Sequence, residues 1–142
     1  MPTISLYNHT ARRFASGANA VTDTYRVALF SAATFDATDV NLADVTGTQL
    51  GTANGYTSGG QALTGVTVET VSTNDAAFDA NDVVWGADGG PLTASYAIIY
   101  NDTDVDDPLV AFIDFEGAES AGDGTDFIIA WNASGIVTFT VA

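Results

Sequence analysis

Residues Leu109-Val-Ala-Phe-Ile-Asp-Phe115 carry the clearest signal of the fold class in this chain, because apolar and polar side chains alternate along part of this segment. In a β-strand, successive side chains point to opposite faces. The apolar residues at positions 109, 111, 113 and 115 therefore share one face, and Asp114 lies on the other. Residues 136–141 repeat the pattern, with Thr138 and Thr140 alternating with Val and Phe. This period of two predicts strands with one buried and one wet face.

Further segments rich in β-branched and aromatic residues, separated by Gly, Asn, Asp and Ser, extend from residue 25 to the end. Strands are predicted over residues 25–31, 61–70, 76–80, 82–85, 94–101, 109–115, 126–131 and 136–141. Two of them, at residues 96–100 and 127–131, are almost continuously apolar and predict central strands that are buried on both sides. Short strands at this spacing predict an all-β, single-domain antiparallel β-sandwich or barrel-like fold.

Residues 1–22 predict a short N-terminal arm ahead of a β domain at residues 23–142. A short helix is predicted within the arm, with Asn8 as its cap and Gly17 as its stop. In the β domain, residues 32–58 predict a long loop containing one helical turn, at residues 38–42. Loops of this length in compact domains tend to be functional or to be ordered by a partner.

The arm and the β domain have opposite charge. Residues 1–22 contain Arg12, Arg13 and no acid, whereas all eighteen acids lie in the rest of the chain. An arm of this kind suits contact with an acidic neighbour, so Arg12 and Arg13, together with Tyr7 and Phe14, are predicted to bind a partner. The alternative is that the two arginines pair with the protein's own acids.

The composition excludes several classes of function. The formal net charge is −15, and the chain contains three arginines and no lysine, which argues against nucleic acid as a partner. The absence of cysteine excludes disulfides and thiolate metal sites. The N-terminus lacks the apolar segment of a signal peptide, and no apolar run is long enough to cross a bilayer. We therefore expect synthesis in the cytoplasm and no membrane partner.

Catalytic chemistry is not expected. His9 is the sole histidine and lies in the predicted arm, whereas a catalytic triad needs its histidine on a rigid scaffold. Glu116 and Glu119 could be paired as glycosidase carboxylates, but a chain with eighteen acids offers such pairs by chance. The prediction is a protein that is not an enzyme and has neither a small-molecule substrate nor an organic cofactor.

The acidic loop at residues 101–108 is the sharpest local feature. Asp102, Asp104 and Asp106 have the 1, 3, 5 spacing of an EF-hand calcium loop, and Asp107 follows them. The match ends there, because position 6 is not glycine and position 12 is Ile113. Two interpretations stay open: these four carboxylates bind a divalent cation, or the loop is a solvated acidic turn.

Four segments together resemble a group of small structural proteins of tailed bacteriophages. They are residues 54–63 (NGYTSGGQAL), 81–90 (NDVVWGADGG), 96–103 (YAIIYNDT) and 108–115 (PLVAFIDF). Members of the group typically open with a short arm, continue with a strand like residues 25–30 and end with a strand like residues 135–139.

The resemblance implies a virion component, and first of all a capsid decoration (cement) protein that binds and stabilises the assembled head. Its implied partners are the major capsid protein and further copies of itself in a homotrimer on the capsid exterior. The alternative is a tail- or fibre-associated protein that contacts tail partners or a host receptor. In that case a carbohydrate site could be lined by four aromatic residues, Trp85, Trp131, Tyr96 and Tyr100. Aromatic residues on strands, however, more often belong to the hydrophobic core.

Overall fold

The computed structural model describes residues 2–141, which form an all-β, antiparallel fold with one short α-helix. The strands are β1 (Thr3–Leu6), β2 (Tyr25–Thr34), β3 (Thr46–Gln49), β4 (Gln61–Ala62), β5 (Thr67–Thr70), β6 (Ala76–Asp79), β7 (Val83–Gly86), β8 (Leu92–Asn101), β9 (Leu109–Ala121), β10 (Asp126–Ile129) and β11 (Val137–Phe139). The helix α1 spans Thr10–Ala15, and a 3-10 turn spans Leu42–Asp44. The predicted all-β class is confirmed.

Within residues 2–141, the strands form three antiparallel sheets. The main sheet has the order β1-β9-β8-β2-β3, and β4 also pairs with β2. Because β8 pairs with one edge of β2, β3 and β4 share the other edge, at opposite ends of the strand. A two-stranded ribbon, β10-β7, and a three-stranded sheet, β11-β6-β5, complete the fold.

The larger hydrophobic core lies between one face of the main sheet and the two small sheets. Val27 and Ile99 of the main sheet belong to the same buried cluster as Phe78 of the β11-β6-β5 sheet and Trp85 of the ribbon. Each fully buried side chain of this size stabilises the fold by about 1.5–3 kcal/mol relative to exposure. This cluster is what joins the three sheets.

The second face of the main sheet is covered by the chain between β2 and β3. Phe35, Leu42 and Val45 pack against a cluster that includes Phe30 and Ile98. The prediction of a long loop over residues 32–58 is therefore corrected: β2 continues to residue 34, β3 lies within the segment, and the helical turn starts at residue 42 rather than residue 38. Apolar contact with the sheet orders this segment.

A β-bulge corrects the predicted face of Leu109. Ile99 pairs with Ala111 and Tyr100 pairs with Leu109, so Val110 is an extra residue on β9. The extra residue reverses the direction of the side chain before it. Leu109 consequently packs in the second cluster, away from Ala111 in the larger core.

The two predicted central strands differ in outcome. β8 lies in the middle of the main sheet, as predicted from residues 96–100. The prediction for residues 127–131 is wrong, because β10 ends at Ile129 and belongs to the two-stranded ribbon. Ile128 on its outer face is 57% exposed. An apolar run shows that a strand can be buried, but it does not show that another layer covers it.

The N-terminal segment is part of the main sheet rather than an arm outside it. Thr3 to Leu6 pair with β9, and Tyr7 is only 3% exposed. The Thr10 hydroxyl donates to the Val110 carbonyl (2.7 Å), which fixes the start of α1 to the same strand. The N-cap is His9 instead of the predicted Asn8, and Gly17 (φ +81°) follows the helix as predicted. None of the helical segments within residues 2–141 has the length and apolar character needed to span a membrane.

Candidate interaction surfaces

Arg13, predicted to bind a partner, has partners inside its own fold. Its Nη2 donates to Asp104 Oδ2 (3.3 Å) and to the Ala18 carbonyl (3.3 Å), and its Nε donates to Asn19 Oδ1 (3.1 Å). For this arginine the alternative interpretation, pairing with the protein's own acids, is the one observed. Arg13 therefore fixes the N-terminal segment to the acidic loop.

Arg26 holds the other side of the acidic loop. Its Nε donates to Asp102 Oδ2 (2.9 Å), and its Nη1 donates to the Gly60 carbonyl (3.1 Å). Two of the four carboxylates proposed as metal ligands are thus each oriented towards an arginine.

The remaining contacts of the acidic loop are those of a tight turn. The Asp106 amide donates to Asp104 Oδ1 (3.2 Å), and the Asp107 amide donates to the Asp104 carbonyl (3.0 Å). Partial desolvation, followed by repulsion from Asp102 and two other loop aspartates, raises the pKa of Asp107. Within residues 2–141, no group of three or more His, Cys, Asp or Glu side chains is arranged to hold a metal ion. Divalent binding by this loop stays a prediction.

The two aromatic residues predicted to bind a partner have different environments. Tyr7 packs against Phe35, with ring centroids 5.3 Å apart, and is buried in the second cluster. Its ring is a core element and is not accessible to a partner. Phe14 is half-buried, with its ring 5.1 Å from that of Phe78 and 5.5 Å from that of Phe139.

Phe14 lies at an open apolar depression of about 380 Å³ on the surface. We define the Phe14 patch as Phe14, Ala15, Val21, Val68 and Phe139, all of which line this depression. Val21 is 49% exposed and Val68 is 45% exposed, so the patch presents apolar surface to solvent. The sequence could not reveal these members, because β5 and β11 bring residues 68 and 139 next to the helix.

Arg12 is the predicted partner-binding residue whose side chain is exposed. It lies three residues before Ala15 on α1, so the two residues are on the same side of the helix. Among residues 2–141 its side chain makes no hydrogen bond or ion pair, in contrast to the side chains of Arg13 and Arg26. Arg12 therefore adds an uncompensated positive charge next to the Phe14 patch.

A second apolar surface lies beside β10 and shares no lining residue with the Phe14 patch. Two adjoining depressions of about 320 and 590 Å³ share Pro2, Ile129 and Ala130, and we call them together the β1–β10 groove. Ile4 of β1 and Ile113 of β9 line it from the main sheet. No sequence pattern indicated this groove, because it arises where separate sheets meet.

Two functions considered from the sequence, carbohydrate binding and catalysis by His9, have no assembled site among residues 2–141. The four aromatic residues considered for a carbohydrate site do not form one platform: Trp85 and Tyr100 are buried in different clusters, and Trp131 lines the β1–β10 groove. His9 Nε2 lies 2.8 Å from the Leu109 carbonyl oxygen, and this structural contact accounts for the position of the ring.

Comparison with protein-family models, curated proteins and solved structures finds no match to this chain.

Proposed function

We propose that this protein is a structural component of a tailed-bacteriophage particle, a decoration (cement) protein that binds the outside of the assembled head and stabilises it. The proposal starts from the sequence resemblance of residues 54–115. The structural observation that supports it best is the Phe14 patch with Arg12 beside it, on a chain of net charge −15. The proposed role is binding, and it assigns no catalytic residue.

The composition of this surface suits attachment to an acidic partner. Contiguous exposed apolar surface bordered by polar residues is typical of protein interaction sites. Arg12 takes no part in the ion pairs made by Arg13 and Arg26, so a partner carboxylate can approach it without displacing any carboxylate of residues 2–141. Most of the chain's acids lie outside the strands, in loops that are exposed or half-exposed, and their charge repels further copies except at screening salt concentrations.

Stabilisation of a head would follow from selective binding. A protein that binds the assembled state better than the separate subunits shifts the equilibrium towards assembly by mass action. A rigid β scaffold suits this role, because little conformational entropy is lost on binding. Assembly of the decoration protein as a homotrimer is part of the proposal, with the major capsid protein as the other partner.

The first experiment measures the copy number of this 14.6 kDa chain in purified particles, relative to the major capsid protein. A decoration protein is expected in a number similar to that of the major capsid protein. A number typical of a tail component would overturn the decoration role in favour of the tail- or fibre-associated alternative.

The second experiment tests the attachment surface with matched valine variants. Val68→Asp places a charge within the Phe14 patch, whereas Val105→Asp places one at a site that is 93% exposed in the acidic loop. Heads that lack the protein should bind the Val105→Asp variant like the unmodified chain and lose binding of Val68→Asp and Arg12→Glu. Equal binding by all variants, with their folds checked by circular dichroism, would exclude this surface.

A further inference from the structure

The β1–β10 groove lies along an unpaired strand edge. β10 pairs with β7 on one side, and no strand within residues 2–141 pairs with its other side. The smaller depression is lined by Asp126 to Ala130 without a gap. Side chains of consecutive strand residues alternate between faces, so a cavity that touches all of them lies beside the strand rather than on one face.

The floor of the groove is apolar and belongs to the larger core. Ile4 and Ile113 come from the end of the main sheet, and Phe115 continues the floor along β9. Ile113 is 1% exposed and Phe115 is 8% exposed, so the groove lies directly over the core. A strand placed beside β10 would cover these residues with alternate side chains and would satisfy the outer backbone groups of β10.

The charge at the rim indicates the chemistry of the occupant. Glu119 and Asp126 line the groove and are exposed, whereas the ion-paired arginines, Arg13 and Arg26, contact the acidic loop instead. A second copy of this chain would add another charge of −15 to the complex. An extended segment that carries Lys or Arg is favoured on both counts.

We infer that the β1–β10 groove binds an extended, basic segment of a different protein, which pairs with the outer edge of β10 as a third strand of the β7–β10 ribbon. Alternate apolar side chains of that segment enter the groove over Ile4 and Ile113. The segment spans roughly seven residues, or about 23 Å. It pairs with β10 over residues 126–129 and continues past residues 130–132, which line the larger depression. This binding does not depend on whether the protein decorates a capsid.

The test uses a panel of synthetic nine-residue peptides with apolar residues at alternate positions and two lysines at each end. Matched peptides carry glutamates in place of the lysines. We expect at least one lysine peptide to bind saturably, to slow amide hydrogen exchange in residues 126–130, and to bind at least about tenfold more tightly than its glutamate match.

Two variants locate the site. Ala130 is exposed and lines both depressions, so Ala130→Trp should fill the groove and lower the affinity of the lysine peptide at least about tenfold. Ala43→Trp is the matched control, because Ala43 is exposed in the 3-10 turn on the other face of the main sheet. It should leave the affinity unchanged.

Several outcomes would overturn the inference. They are a panel without any saturable binder, exchange protection outside β10, equal affinity of the two tryptophan variants, and self-association that Ala130→Trp abolishes. The last outcome would show that a second copy occupies the groove.

Discussion

Arg13 Nη2 lies 3.3 Å from Asp104 Oδ2, which joins the N-terminal helix to a loop 91 residues later in the chain. The sequence predicted a partner-binding role for the arginine and a metal-binding role for the aspartate. In the fold the two groups bind each other. This contact explains how the N-terminal segment is held to the acidic loop.

A double-mutant cycle on Arg13→Gln and Asp104→Asn should therefore give a favourable coupling free energy. The two side chains are 18% and 40% exposed, so we expect a coupling of about 0.5–1 kcal/mol in low salt, decreasing as salt is added. Arg13→Gln alone should be the more damaging variant, because it also loses contacts to Ala18 and Asn19. Urea unfolding measures both effects, and zero coupling in low salt would contradict the pairing.

Removal of residues 2–22 should unfold the protein rather than release a separate arm. The truncation deletes β1, the buried Tyr7 and Thr10, and the Phe14 ring that packs on Phe78. Loss of one buried and one half-buried aromatic ring, together with the pairing of β1 with β9, removes several kcal/mol, which is comparable to the whole stability of a domain. Circular dichroism and thermal unfolding check this. If the truncated chain unfolds cooperatively near the melting temperature of the full-length chain, residues 2–22 are an arm that the β domain does not need.

The protein should lose stability at alkaline pH through its buried tyrosines. Burial, assisted by Asp102, raises the pKa of Tyr100 to about 12 from its ordinary value of 10.0. Because the folded pKa exceeds the unfolded one, the contribution of the neutral phenol is fully present below pH 10 and is lost between pH 10 and 12. The free energy of unfolding should fall across this range.

Tyr100→Phe is the matching variant. It should cost about 1 kcal/mol at neutral pH through loss of the hydrogen bond from the hydroxyl to the Gly59 carbonyl. Its free energy of unfolding should also fall less above pH 10, because the variant lacks the phenol whose pKa is raised by folding. Urea unfolding at several pH values measures both. If the free energy of unfolding of the variant falls as much above pH 10 as that of the unmodified protein, groups other than Tyr100 cause the loss of stability.

Gly60 should not tolerate a side chain. Its φ of +81° is unfavourable for other residues, and a Cβ there would collide with the backbone carbonyl of Val27. Gly60→Ala should cost about 2 kcal/mol or more. Gly122→Ala is the control, because a Cβ at Gly122 meets no atom within 4 Å and should leave the melting temperature nearly unchanged. Similar melting temperatures for the two variants would contradict the described backbone.

Salt should stabilise the protein, and a comparison of calcium with sodium distinguishes charge screening from binding of a specific ion. With a net charge of −15, added NaCl reduces self-repulsion in the folded state and should raise the melting temperature. A divalent site in the acidic loop would add a further rise with CaCl₂ at matched ionic strength, and Asp106→Asn would remove that rise. Equal curves for the two salts would show screening alone and would reject the predicted metal site.

The all-β class and several individual strands could be predicted from the amino-acid sequence. Period-two patterns and Asp- and Gly-rich turns are local signals, and they located β8 and the start of β9 to within a few residues. The pattern at residues 136–141 also predicted that Thr138 faces solvent. These outcomes depend on the backbone and on near neighbours, which a sequence displays directly.

Contacts between distant parts of the chain, in contrast, became visible only in the fold. The Val110 bulge places Leu109 on the opposite face from the predicted one. Pairing with β9 makes the predicted arm an edge strand of the main sheet, and Arg13 forms an ion pair with Asp104. The Phe14 patch and the β1–β10 groove likewise combine residues from distant strands. They could not be predicted because pairing register and packing between sheets depend on interactions between remote segments. No local pattern encodes those contacts, and the candidate interaction surfaces consist of them.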